Sequence, residues 1–81
     1  MKKLNERQKR LVKEVLSDKI GVDFSEIKDD SELTCDLGMD SLDAIELIME
    51  FEAIFNISIS DDDAEEVNKV SDIYECLEKS N

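Results

Sequence analysis

Ser41 stands in the run Asp36-Leu37-Gly38-Met39-Asp40-Ser41-Leu42, where a polar, turn-forming stretch gives way to an apolar-periodic segment. A hydroxyl at such a junction is exposed and reachable by another protein's active site. The chain has no histidine, so no Ser-His-Asp relay can activate this oxygen from within. The residue types therefore suit a substrate of another enzyme better than a catalyst, and no catalytic residue is expected. An ordinary role is open too, because serine is among the best helix N-caps and needs no function to occupy a helix start.

Other chemistry-bearing residues offer less. Cys35 and Cys76 lack C-x-x-C spacing and have no histidine to complete a zinc site. Cys76 falls on an apolar stripe and reads as a small buried hydrophobe, while Cys35 sits in a loop as a free thiol suited to a reducing cytosol. The acids at Asp36 to Asp43 and Asp61 to Asp63 invite a calcium reading, but a calcium loop needs glycine at position six and glutamate at position twelve. Counting from Asp36 places Ser41 and Leu47 there, and counting from Asp61 places Glu66 and Asp72. Loose divalent binding is expected, a specific metal site is not.

The elements that must position Ser41 follow from periodicity. Leu4, Leu11, Val12, Val15 and Leu16 predict a first helix over residues 4 to 19, with Gly21 helping to end it. Residues 22 to 39 break into polar clusters around Phe24, Ile27, Leu33 and Leu37, which predicts a long loop pinned to the core by isolated apolar anchors. A structureless stretch of this length is unusual without a function. Asp40 or Ser41 starts a second helix, with Asp43 supplying negative charge in its first turn. That helix runs to about Phe55, with Leu47, Ile48, Phe51, Ile54 and Phe55 on one side; Leu47, Phe51 and Phe55 are the expected core set. Ile57 to Ser60 reads as a connector, because its alternation finds no partner strand. Ser60 or Asp61 caps a short third helix over Asp62 to Val67, and Ser71 caps a fourth carrying Ile73, Tyr74, Cys76 and Leu77, before fraying at residues 79 to 81. The expected fold is all-α: a small four-helix bundle of three main helices and one short one, with a long loop between the first two.

The chain is 81 residues long, enough for one domain over residues 1 to 81 and too small to enclose an enzyme-sized substrate cavity. Its net charge is −12, which argues against nucleic acid as a partner. The sign is uneven: Lys2, Lys3, Arg7, Lys9, Arg10, Lys13 and Lys19 fall in the first segment, while the interval between Lys28 and Lys69 holds fourteen acids and no base. A one-signed surface around Ser41 would steer basic proteins toward it; a solvated acidic face kept for solubility explains the same charge. No basic-then-apolar leader opens the chain and no apolar run nears the ~18 residues of a membrane span, so a cytoplasmic protein without membrane insertion is expected.

The run Asp-Leu-Gly-Met-Asp-Ser-Leu-Asp, followed by Ala44-Ile45-Glu46-Leu47-Ile48-Met49-Glu50-Phe51-Glu52, resembles an acyl carrier protein. The likeness spans nearly the whole chain and is specific again at Ile59 to Val67, within which Ser60 stands where many members have proline; Met39 stands where alanine is common. The resemblance implies that Ser41 receives 4'-phosphopantetheine from coenzyme A, and that the terminal thiol of this arm carries acyl groups as thioesters. A phosphodiester on a residue at a helix N-terminus would meet unpaired backbone N–H groups and the positive end of the dipole. Gly38 would permit a positive-φ turn that presents the serine outward.

The resemblance further implies that Asp40, Leu42, Asp43, Ile45, Glu46, Met49 and Glu50 meet partner enzymes, namely a phosphopantetheinyl transferase and acyl-processing enzymes with basic docking surfaces, while the carrier itself acts as a monomer. Leu42, Ile45 and Met49 recur at helical spacing, so some of them could serve the core instead, with Met49 the expected exposed contact. It also implies that Leu33, Leu47, Phe51, Ile59, Ala64, Val67 and Ile73 shelter an acyl chain. The same residues would equally make an ordinary dry core, and a core so small must deform to admit a chain. The motif is closer to discrete fatty-acid-synthesis carriers than to peptidyl carriers. A specialised carrier for a secondary metabolite, a lipid precursor or an aminoacyl group is the alternative, and an acidic adaptor that only docks is a third class.

Overall fold

The computed structural model describes residues 3–79. Four helices follow in order, α1 (Glu6–Ile20), α2 (Ser41–Phe55), α3 (Asp61–Glu65) and α4 (Val70–Lys79), and the only β-type pairing among the described residues is the isolated bridge between Glu32 and Lys69. This is the expected bundle of three main helices and one short one. Residues 80 and 81, where fraying was expected, lie outside the described residues, and Lys79 closes α4.

The helix ends follow local chemistry. Asn5 caps α1 by accepting from the Gln8 amide at 2.8 Å while the Gln8 side chain accepts from the Asn5 N–H, so two otherwise unpaired donors are satisfied reciprocally. The first helix therefore begins two residues later than the apolar spacing predicts. Leu4 precedes the cap and is buried nonetheless, its N–H donating to Glu78 Oε2 at 3.0 Å. Gly21 ends α1 in the left-handed region at φ 72°, donating to the Ser17 carbonyl. The third helix is shorter than expected, Asp61–Glu65 in place of Asp62 to Val67, with Ser60 as its cap. It stops because Asn68 gives its carbonyl to Leu33, which draws the chain away from the helix axis.

At α4 the expected cap is corrected. Ser71 lies inside the first turn, its N–H donating to the Asp29 carbonyl at 2.8 Å. The Asp72 carboxylate serves instead, accepting from the amides of Asn68 and Lys69 at 3.0 and 2.8 Å. A carboxylate at the third helical position reaches back to the orphan donors and also complements the helix dipole.

The core joins Val12 and Leu16 of α1, Leu47 and Phe51 of α2, and Val70, Ile73 and Leu77 of α4, all fully buried. The long connection contributes Ile27, Leu33, Leu37 and Met39. Two expected apolar contacts depart from prediction. Phe24 is 39% exposed and sits in a 3-10 turn, its ring 5.8 Å from the Arg10 guanidinium, so it anchors to a cation and not to the core. Ile54 is exposed as well, lining an open groove with Val15 and Lys19 because α1 does not close over that part of α2. Phe55 is partly buried, its ring 6.2 Å from that of Phe51.

Candidate functional site

Ser41 is the first residue of α2, and Asp40 is the cap, accepting from the Asp43 amide at 2.8 Å. This resolves which of the two starts the helix. The Ser41 side chain is exposed, and no hydrogen bond engages its hydroxyl among the described residues. Two apolar anchors, Leu37 and Met39, flank Gly38 and turn inward, so the backbone between them must reverse. Gly38 does so at φ 72° with open space where a Cβ would stand. The demand for glycine is thus conformational, and a larger residue would meet backbone strain without a steric clash. Met39 N–H donates to the Leu33 carbonyl at 2.8 Å, and Leu33 N–H donates to Asn68 at 2.8 Å, so the turn carrying Ser41 is tied to the junction of α3 and α4.

Beside Ser41 opens a cleft of about 170 Å³ between the first turns of α2 and the short α3. Leu33, Ala64 and Val67 line it, as do Thr34, Ala44 and Ile45, which sequence reasoning missed. The available signal was the spacing Ser41, Ala44, Ile45, which places three residues on one stripe of a helix. Leu47, Phe51 and Ile73 do not reach the cleft: each is fully enclosed in the core. Ile59 is partly buried against that core, its N–H held by Glu52 Oε2 at 2.9 Å. A space of this size matches a cavity that admits one benzene-sized molecule. A longer apolar chain would have to displace Leu47, Phe51 and Ile73, for a close-packed interior has no spare volume of that kind.

The outer face of α2 carries an apolar stripe and an acidic one. Leu42, Ile45 and Met49 are 63%, 44% and 61% exposed, so all three face outward. Alongside run Asp40, Asp43, Glu46 and Glu50; Asp43 is half-buried and the others are exposed. Lys19 of α1 reaches Glu46 at 3.6 Å and Glu50 at 3.9 Å. Elsewhere, burial first and then the charge of Asp63 push the Cys76 thiol up; Lys79 pulls it down, and Glu52 and Glu66 add smaller upward pushes. It is held as a protonated, inert core thiol. Cys35 is exposed in the loop. No helix among the described residues is long and apolar enough to cross a membrane.

Residues 10–77 match the family model described as a phosphopantetheine attachment site. Over 68 residues the chain is 47% identical to an acyl carrier protein of Solidesulfovibrio magneticus, covering 84% of this chain and 87% of that one. It is 54% identical over 61 residues to an acyl carrier protein of Chloroherpeton thalassium, covering 75% and 76%. The chain belongs to the acyl carrier protein family. Among solved structures, a Mycobacterium tuberculosis protein assigned as an acyl carrier protein superposes with a TM-score of 0.79 at 32% identity, covering 85% of this chain and 92% of that one.

The cofactor of this acyl carrier family member is covalently held 4'-phosphopantetheine. The start of α2 fits such a group: an exposed, unpartnered hydroxyl, first-turn amides at the positive end of a fifteen-residue helix, and a partly apolar cleft opening beside them.

Proposed function

We propose that Ser41 is the attachment residue and that the chain is a non-catalytic, cytoplasmic, monomeric carrier of acyl groups in fatty acid biosynthesis, a single acyl-carrier domain over residues 1–81. The observation that carries this reading is the state of Ser41: exposed, its hydroxyl without a hydrogen bond among the described residues, and first in α2 beside a partly apolar cleft, in a chain without histidine. The Ser41 oxygen attacks the phosphorus of coenzyme A that bears the pantetheine arm. The new O–P bond forms as the pyrophosphate P–O bond breaks, adenosine 3',5'-bisphosphate leaves, and the hydroxyl proton passes to a base of the transferase, since no base engages that hydroxyl among the described residues. When bound, the group supplies a thiol that holds acyl cargo as a thioester. Asp40 fixes the turn, Gly38 aims it, and Leu33, Ala44, Ile45, Ala64 and Val67 offer the first apolar shelter to the cargo.

The α2 face, with Asp40, Leu42, Asp43, Ile45, Glu46, Met49 and Glu50, serves as the docking surface for the transferase and for acyl-processing enzymes. Acids steer a basic partner in, and the exposed apolar stripe supplies contact area once it arrives. Intact-mass measurement after incubation with coenzyme A and a phosphopantetheinyl transferase tests the assignment. The wild-type chain gains one phosphopantetheine, and Ser41→Ala folds with the same helical circular dichroism and gains none. Modification persisting in Ser41→Ala overturns the attachment residue.

A further inference from the structure

Seven bases fall in the first segment, and among the described residues only Lys19 is ion-paired to the face of α2 that surrounds the proposed attachment residue. Its ammonium lies between Glu46 and Glu50, while its stem is mostly covered in the groove formed with Val15 and Ile54, leaving the side chain 21% exposed. Packing of the stem means that the entropy of holding the ammonium in place is largely met by the fold, so the pairs survive where two freely moving side chains would not. A basic group arriving from a partner must then compete for Glu46 and Glu50 with a cation already within 4 Å. Asp40 and Asp43 have no such internal cation among the described residues.

We propose that Lys19 is a specificity-determining residue: an internal competitor that weakens docking at the Glu46–Glu50 end of α2 and leaves Asp40 and Asp43, beside Ser41, as the strong attractors of basic partners. This rests on the reading of α2 as the docking face. Its consequence is a graded surface. Partners whose basic residues bind close to Ser41 meet unpaired acids, whereas partners that need the distal pair must first displace Lys19. Selection among enzymes that share one carrier then depends on a residue outside α2 itself.

The test uses the full-length apo chain, coenzyme A and a phosphopantetheinyl transferase, with kcat/KM measured at low and high salt. Lys19→Met, which keeps the apolar stem and removes the charge, should raise kcat/KM roughly two- to fivefold at low salt, with the gain fading at high salt. Lys19→Arg should remain near wild type. Glu46→Gln with Glu50→Gln should slow loading, and adding Lys19→Met to that pair should change nothing further. Lys28→Met alters net charge equally without an ion pair to α2, and should remain near wild type. The proposal is overturned if Lys19→Met is unchanged or slower while the double glutamine variant is slow, or if Lys28→Met accelerates loading as much. A double glutamine variant that loads like the wild type overturns this proposal, and the docking reading falls with it only if Asp40→Asn with Asp43→Asn also loads like the wild type. Melting temperatures verify folding, and Lys19→Gln replaces Lys19→Met should the latter fail to fold.

Discussion

The two sides of the bundle are built differently. On the α1–α4 side, five residues of α4 are buried, and Tyr74 donates its hydroxyl to Asp29 at 3.0 Å while Lys13 pairs with the same carboxylate at 3.2 Å and Lys9 stands 5.6 Å from the tyrosine ring centre. On the Ser41 side, α3 is five residues long with none buried, and a cleft remains between it and α2. Cross-linked packing holds one half as a frame. The other half has little apolar burial to lose on opening, which suits the proposed admission of cargo beside Ser41.

Core truncations break this comparison most severely. Phe51→Ala should cost about 3–5 kcal/mol by chemical denaturation, whereas Val67→Ala, only partly buried beside the cleft, should cost about 1 kcal/mol. Equal costs would mean that the α3 side is as tightly packed as the frame. Next in size, Tyr74→Phe removes a hydrogen bond to a partly exposed carboxylate and should cost about 1.5 kcal/mol, with no change in transferase loading.

The same pair sharpens the comparison through pH. Burial first, then the hydrogen bond to Asp29 and its charge, pushes Tyr74 ionisation well up. Its stabilising contribution is therefore complete below the ordinary tyrosine value of about 10 and falls as pH rises beyond it. Burial would raise Asp29, but the hydrogen bond from Tyr74, then Lys13 and Lys9, carry its carboxyl below the ordinary value. Its contribution is present above about pH 4 and is lost as acid protonates it. Asp29→Asn should thus melt lower than wild type at neutral pH, with the gap closing below pH about 4. It should also bring Tyr74 ionisation down while leaving it above the ordinary value, read from tyrosinate absorbance in a chain with one tyrosine and no tryptophan.

Smaller still, Ser60→Ala removes the cap of α3, where Ser60 accepts from the Asp63 amide at 3.2 Å. It should cost up to about 1 kcal/mol, seen as faster amide exchange confined to residues 61–65 while α1 and α4 keep their protection. Protection lost throughout the molecule would mean that the two halves are not separable.

Much of this arrangement was legible in the chain. Apolar spacing gave α1 and α2 to within two residues, and Gly21, Asp40 and Ser60 marked ends through local capping chemistry. What was not legible depends on partners distant in sequence. Phe24 looked like a core anchor because only the fold places Arg10 against it. Ser71 looked like a cap because serine is a good one, yet its amide answers to Asp29. Leu42, Ile45 and Met49 share helical spacing with Leu47 and Phe51, and only the position of the neighbouring helices decides which stripe is covered. The pairing of Lys19 with Glu46 and Glu50 depends on how α1 crosses α2, which no local pattern records.

The ties between the long connection and α4 carry a kinetic meaning. Leu33 donates to Asn68, Val70 to Ser31, and Ser71 to Asp29, each bond closing a loop of some forty residues. Such bonds reward the chain only after α4 has docked, so the platform beneath Ser41 assembles late, after the local helices have formed. Once closed, those three amides should exchange with solvent more slowly than the first-turn amides of α3. The end of the molecule that carries Ser41 is therefore fastened by hydrogen bonds that join distant parts of the chain and form late.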